Sequence, residues 1–261
     1  MTGMNPIALG ALASLAAGSA TFLGTLPLIV MRRPSENLLN VLLGGSAGVM
    51  LGATAFSLIA PAIAAGGVMP MAVGVMLGAM FVHLMDRVLP HEHFQNLGRE
   101  GIDTKKLRRI WLFILAITIH NFPEGLAVGV GFGGEKIADG AILAIAIGLQ
   151  NIPEGLAVAA PLLRLGYSLP YAMGVALLTG LVEPIGGLLG VSIVTVMAPL
   201  LPYFLGFAAG AMLWVVAAEI IPETHHEEQT RRAPTYGLII GFVLMTSLDT
   251  VLEPIIKQWQ W

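Results

Sequence analysis

Asn121-Phe122-Pro123-Glu124-Gly125-Leu126-Ala127-Val128 and Asn151-Ile152-Pro153-Glu154-Gly155-Leu156-Ala157-Val158 are two copies of one motif, identical at seven of eight positions. Each lies inside an apolar run, near 107–132 and 138–163. A bilayer core of about 30 Å takes roughly 20 apolar residues of helix, so both runs are long enough to cross it. Each copy puts a carboxylate and an amide mid-span. An ionisable group there costs roughly 2.5–3.5 kcal/mol on insertion scales, so duplicated acids in two spans point to function.

Composition agrees. The 261 residues are 56% hydrophobic and 11% charged, with a mean hydropathy of +0.82. A soluble domain is nearer a quarter charged. Abundant Gly, Ala and Met suit helices that pack closely in lipid. The net charge of −3 is uninformative by itself, and the 91–106 basic stretch is read as a topology signal rather than a nucleic-acid patch. There is no cysteine, which excludes disulfides and thiolate metal sites.

Runs of spanning length number eight: near 5–31, 37–63, 68–90, 107–132, 138–163, 170–197, 202–222 and 235–256. The first has no charged n-region or small-residue cleavage site, so it reads as a retained span. The breaks carry turn or charge signals at Arg32-Arg33-Pro34, Ala65-Gly66-Gly67, 91–106, Gly133 to Lys136, Arg164-Leu165-Gly166, Pro199 and His225 to Arg232. The expected fold class is an all-α integral membrane protein, a single transmembrane domain over 1–261. With the N-terminus outside, the inner loops hold eleven Lys and Arg residues and the outer side only Lys136 and Lys257. That bias predicts both termini on the extracytoplasmic face of the cell (inner) membrane.

The chain also matches itself at a shift of about 162 residues. Gly18 and Gly24 match Gly180 and Gly186. Leu43-Gly44 and Ala47-Gly48 match Leu205-Gly206 and Ala209-Gly210. Gly74, Gly78 and Asp86 match Gly237, Gly241 and Asp249, one residue further on. Matched spans are an odd number apart, so the copies are expected to be inverted, as in many alternating-access transporters. Spans 1–3 and 6–8 form the copies around spans 4 and 5, a 3+2+3 arrangement.

The polar groups cluster on three spans. Span 4 carries His120, Asn121 and Glu124, span 5 carries Gln150, Asn151 and Glu154, and span 6 carries Glu183. Positions i, i+1 and i+4 share a helix face. Pro123, Pro153 and Pro184 each remove an N–H, and kinks are expected that expose the carbonyls of Ile119, Leu149 and Gly180. Three carboxylates in a low-dielectric site repel one another, and a divalent cation resolves the repulsion. Imidazole, carboxylate and amide oxygen suit zinc, cadmium, iron or manganese.

These motifs, His-Asn-Phe-Pro-Glu-Gly at 120–125 and Gln-Asn-Ile-Pro-Glu-Gly at 150–155, with Glu183-Pro184, resemble the ZIP (Zrt-, Irt-like) family of metal transporters. The details look most like its prokaryotic GufA-type branch. The resemblance covers the whole chain. It implies divalent metal uptake, zinc first, through a mid-membrane binuclear centre. His120, Glu124, Gln150 and Glu154 would form one site. Asn121, Asn151 and Glu183 would form the other, with Glu124 and Glu154 bridging. Family members with Asp at the position of Asn151 carry one more charge, so here the second site is expected to be weaker or less selective. GufA-type relatives often have His-Glu in span 7, where this chain has Ala218-Glu219.

Further candidate metal positions are Glu219 in the exit route, Asp86, His91 and His93 after span 3, and Glu223, His225 and His226 after span 7. The inner-loop clusters read either as receivers or sensors for metal leaving the pore or as solvated loop residues. Metal is the transported substrate here, and no cofactor is expected. A passive metal channel and an intramembrane metalloenzyme are the alternatives, together with a carrier of sodium or organic ions. The enzyme wants His-Glu-x-x-His on one helix, whereas span 4 reads His-Asn-x-x-Glu. The expected partners are metal ions and the bilayer, with no nucleic acid. The Gly/Ala faces of spans 2 and 3 can pack within the protomer or against a second copy as a homodimer.

Overall fold

The computed structural model describes residues 5–31, 34–88, 104–134, 137–225 and 232–257, and these are helices and turns with no strand among them. We number the helices α1 (Pro6–Ile29), α2 (Glu36–Gly66), α3 (Val68–Val88), α4 (Thr104–Gly133), α5 (Ile137–Arg164), α6 (Leu169–Val196), α7 (Ala198–Thr224) and α8 (Arg232–Lys257). Among the described residues, the first seven are long and apolar enough to cross a membrane. In α8 the apolar stretch is shorter, Arg232–Leu248.

Local chemistry sets the boundaries. The side chains of Asn5, Ser35 and Ser168 cap α1, α2 and α6 by accepting from the N–H groups of Ile7, Leu38 and Tyr171. Gly67 and Gly166 take φ of 81° and 82° where the chain reverses after α2 and α5, a conformation that costs other residues a Cβ clash. Pro199 falls in a 3₁₀ turn, Ala198–Leu200, that opens α7.

Three helices are irregular. The π-segments Ala53–Ile59 in α2 and Val216–Ile220 in α7 occupy matching positions of the repeat. The helix α6 is broken, its two parts being Leu169–Gly180 and Glu183–Val196. The three prolines at which kinks are expected stand in two different settings. Pro123 and Pro153 lie inside helices that continue past them. Pro184 sits in the first turn of the second part of α6, where a missing N–H is no loss.

The helices pack in two groups. α2 lies along α8, and α3 along α7. α4 lies along α6, and α1 along α5, with α1, α4, α5 and α6 also touching one another. The groups meet where α2 crosses α5 and α7 crosses α4.

The contacts exchange partners by the offsets seen in the sequence. A Cβ on Gly44 would strike the Pro234 carbonyl of α8, and one on Gly206 the Met71 carbonyl of α3. Gly48 faces Leu238 as Gly210 faces Val75. Gly24 abuts the Ile152 carbonyl, and Gly186 abuts the Phe122 carbonyl. Gly18 and Gly180, themselves a matched pair, each abut the other's carbonyl. These glycine contacts therefore fall in pairs related by the offsets of the sequence repeat. They also use the glycine faces of α2 and α3 within the protomer.

Candidate metal centre

The seven polar residues of spans 4, 5 and 6 are all buried, and hydrogen bonds join four of them across helices. His120 and Glu154 are 2% and 1% exposed, and Asn121, Glu124, Gln150, Asn151 and Glu183 are 0% exposed. The motif glycines bring α4 against α6 and α5 against α1. Gly125 packs against the Glu183 backbone, so the two helices cross with no side chain between them.

Hydrogen bonds pair the groups across helices. Gln150 on α5 donates to Glu124 on α4. Asn151 on α5 donates to Glu183 on α6 at 2.6 Å and to the Ala17 carbonyl on α1 at 2.8 Å. These two pairings fall within the two ligand sets that the family resemblance implies. Glu183 also gains from its place at a helix N-terminus, where the backbone dipole favours an anion.

Each of these groups keeps an oxygen free. Glu124 Oε2, Glu154 Oε2, Glu183 Oε2, Asn121 Oδ1, Gln150 Oε1 and Asn151 Oδ1 are buried with no hydrogen-bond partner among the described residues. Buried polar atoms normally find a partner, and each that does not asks for a cation or water. Among the described residues, no three His, Asp or Glu side chains converge as a ready-made metal cluster. The carboxylates lean on amides and one hydroxyl instead.

Two residues from the other helix group reach this centre. Ser46 on α2 donates to Glu154 at 2.6 Å. Sequence reading missed it, because a lone hydroxyl within a Gly- and Ala-rich run looks like a packing residue. Glu219, expected in the exit route, lies in the π-segment of α7 with its carboxylate 3.5 Å from His120 Nδ1. It borders the centre itself.

The remaining candidates lie apart. His225 bridges the end of α7 to the start of α8, bonding Thr224 Oγ1 at 2.9 Å and Thr235 Oγ1 at 3.0 Å. Glu223 is half-buried at the end of α7. Asp86 falls in α3, but its side chain, like His91, His93 and His226, lies outside the described residues.

A cavity of about 1340 Å³ opens where α2, α4 and α6 end and α5 and α7 begin. Ser57, Pro61, Gly134, Asp139, Pro199 and Tyr203 are among the residues that line it. Val130 on α4 also lines it, six residues from Glu124. At 1.5 Å per residue that is about 9 Å along the helix. At the opposite end of α5, Arg164 Nη1 pairs with Glu36 Oε1 on α2 at 2.7 Å.

Apolar helices of spanning length, wrapped around buried carboxylates and amides, define a multi-pass membrane protein with a polar intramembrane site. Residues 91–249 match the family model for the ZIP zinc transporters, and the chain belongs to that family, among its prokaryotic GufA-type members. It is 44% identical to the zinc transporter GufA of Myxococcus xanthus, over 93% of this chain and 98% of that one. The zinc transporter ZIPB of Bordetella bronchiseptica is 41% identical, over 97% and 84%. The zinc transporter ZupT of Escherichia coli is 34% identical, over 89% and 92%. These relatives are transporters rather than enzymes, with metal as cargo rather than cofactor.

Proposed function

We propose that this chain carries divalent transition-metal ions, zinc first, across the cell membrane into the cytoplasm, with cadmium, iron and manganese as further substrates. The six unpartnered acceptor oxygens on α4, α5 and α6 carry this reading. His120 on α4 is buried like them, and oxygen with one imidazole is a donor set suited to these ions. The relatives named as zinc transporters support zinc as the leading substrate.

Two ions bind in this reading. His120, Glu124, Gln150 and Glu154 hold one. Asn121, Asn151 and Glu183 hold the other, and Glu124 and Glu154 bridge them. Each carboxylate exchanges its amide or hydroxyl partner for the ion. The ion sheds its water onto these oxygens and offsets their mutual repulsion.

All eight helices cross the membrane in this reading, with both termini outside and spans 1–3 inverted relative to 6–8. The cavity with Asp139 then faces outward and gathers cations. The ion passes about 9 Å down α4 to the centre. The site-bearing group of α1, α4, α5 and α6 then rocks or slides against α2, α3, α7 and α8, and the ion leaves inward past Glu219. The polar contacts Ser46–Glu154 and Glu219–His120 span the two groups, so binding at the centre is coupled to that movement.

Reconstituted vesicles test the assignment. Zinc uptake should be abolished by Glu124→Ala and by Glu154→Ala. Unchanged zinc flux in both variants would overturn the site. A panel of zinc, cadmium, manganese and iron, with and without a pH gradient, reads selectivity and coupling.

A further inference from the structure

Thr21 on α1 is 1% exposed, and its hydroxyl has no hydrogen-bond partner among the described residues. Threonines buried in helices usually donate back to a carbonyl one turn earlier, as Thr118 and Thr246 do here. The position of Thr21 in the repeat explains what it faces. Thr21 and Glu183 are counterparts at the same offset as Gly18 and Gly180.

Two pairs of contacts agree with this, and Asn151 adds a link between the two sides. Gly125 of the α4 motif packs on the Glu183 carbonyl, and Gly155 of the α5 motif packs on the Thr21 carbonyl. A Cβ on Gly180 would come within 2.6 Å of Thr21 Oγ1. A Cβ on Gly18 would come within 3.2 Å of the Glu183 Cβ. Finally, Asn151 reaches both sides, bonding Glu183 and the carbonyl of Ala17, one turn before Thr21.

The proposed second ion site is drawn from Asn121, Asn151, Glu124, Glu154 and Glu183. Asn121 and Asn151 are counterparts of each other, as are Glu124 and Glu154. Four of the five groups thus exchange among themselves, which places the site near the axis relating the two halves. The counterpart of the fifth group, Glu183, must face the same point from the opposite side. That counterpart is Thr21. Asn121, the counterpart of the Asn151 that bonds Glu183, has an amide nitrogen and oxygen that both lack partners among the described residues.

The geometry points to Thr21 as a further metal-facing residue, its hydroxyl oxygen completing the second ion site opposite Glu183. This rests on the metal-transport reading above and deepens it. The second site then has only oxygen ligands: carboxylates, amide oxygens and one hydroxyl. The first keeps the imidazole of His120. Oxygen-only sites favour harder ions such as manganese, and imidazole favours zinc. Thr21 is therefore a specificity-determining residue for the harder ions.

Purified protein with zinc or manganese chloride, read by calorimetry, and vesicles, read by uptake, make the test. Thr21→Val keeps the shape and removes the oxygen. We expect manganese affinity at the second site to fall about tenfold, the lower end of what a supporting metal-site group contributes. Zinc at the first site should change less than twofold, and Thr21→Ser should restore manganese binding. Equal losses for both ions, or no loss for either, would overturn the role of Thr21. If Thr21→Val does not fold, Thr21→Asp decides, with tighter manganese binding expected and unchanged binding overturning the role. Glu124→Ala serves as the control. Normal metal binding in that variant would remove the centre itself, and the Thr21 role with it. Lost binding there, with Thr21→Val unchanged, would overturn only the Thr21 role.

Discussion

Ser46 on α2 donates a 2.6 Å hydrogen bond to Glu154 on α5, tying a motif carboxylate to the helix group that does not carry the motifs. The bond is buried, and leaving a buried polar group without its partner costs about 1–3 kcal/mol. In the proposed function the bond also competes with metal for the same carboxylate.

Ser46→Ala should therefore lower the melting temperature of the metal-free protein, because Glu154 loses a buried partner. Added zinc should stabilise this variant more than the unchanged protein, since the ion now meets a carboxylate with no competing donor. Thermal unfolding in detergent, with and without zinc, checks both. An equal zinc shift in the two proteins would count against competition at Glu154.

Asn151→Asp should raise metal affinity at the proposed second site by adding a negative ligand. It also removes the donor to Glu183 and to the Ala17 carbonyl. The metal-free protein should then be less stable, and the metal-bound protein more so. Calorimetric titration with zinc and cadmium, beside metal-free melting, separates the two effects.

Gly125→Ala and Gly155→Ala should each cost folding rather than selectivity. An added Cβ meets the backbone carbonyl of Glu183 in one case and Thr21 in the other, and neither can step aside. Overpacking of this kind costs typically about 1–3 kcal/mol, and more where backbone must shift. The yield of monodisperse protein and its melting temperature report the loss.

Glu219→Gln should slow zinc uptake while leaving the melting temperature nearly unchanged. It removes the charge 3.5 Å from His120 without removing bulk. Initial uptake rates in vesicles, normalised to inserted protein, check it. By contrast, Arg164→Gln should alter stability by less than about 1 kcal/mol, because its partner Glu36 is 65% exposed and surface pairs contribute little.

The helices, their order and the identity of the polar cluster were legible in the sequence because each is a local property. Hydropathy marks a span over some twenty consecutive residues, and a carboxylate in such a run stands out against its neighbours. The breaks at Gly67 and Gly166 were legible for the same reason, since a residue without a Cβ is needed to turn the chain there. The repeat, too, could be read as an offset between like residues before any contact was known.

What only tertiary structure decided is who faces whom. Nothing near Ser46 or Glu219 in the chain distinguishes them from packing or exit residues, yet helix crossings bring both to the centre. The prolines show the same limit. A proline removes an N–H wherever it stands, but whether the helix continues, as at Pro123, or restarts, as before Pro184, depends on the neighbours packed around it. By itself the sequence determined a polar motif repeated in apolar helices, because burial of charge in lipid is costly enough to be conspicuous. The structure alone decided how those charges are paired, because pairing is a property of distances between segments that the chain separates by tens of residues.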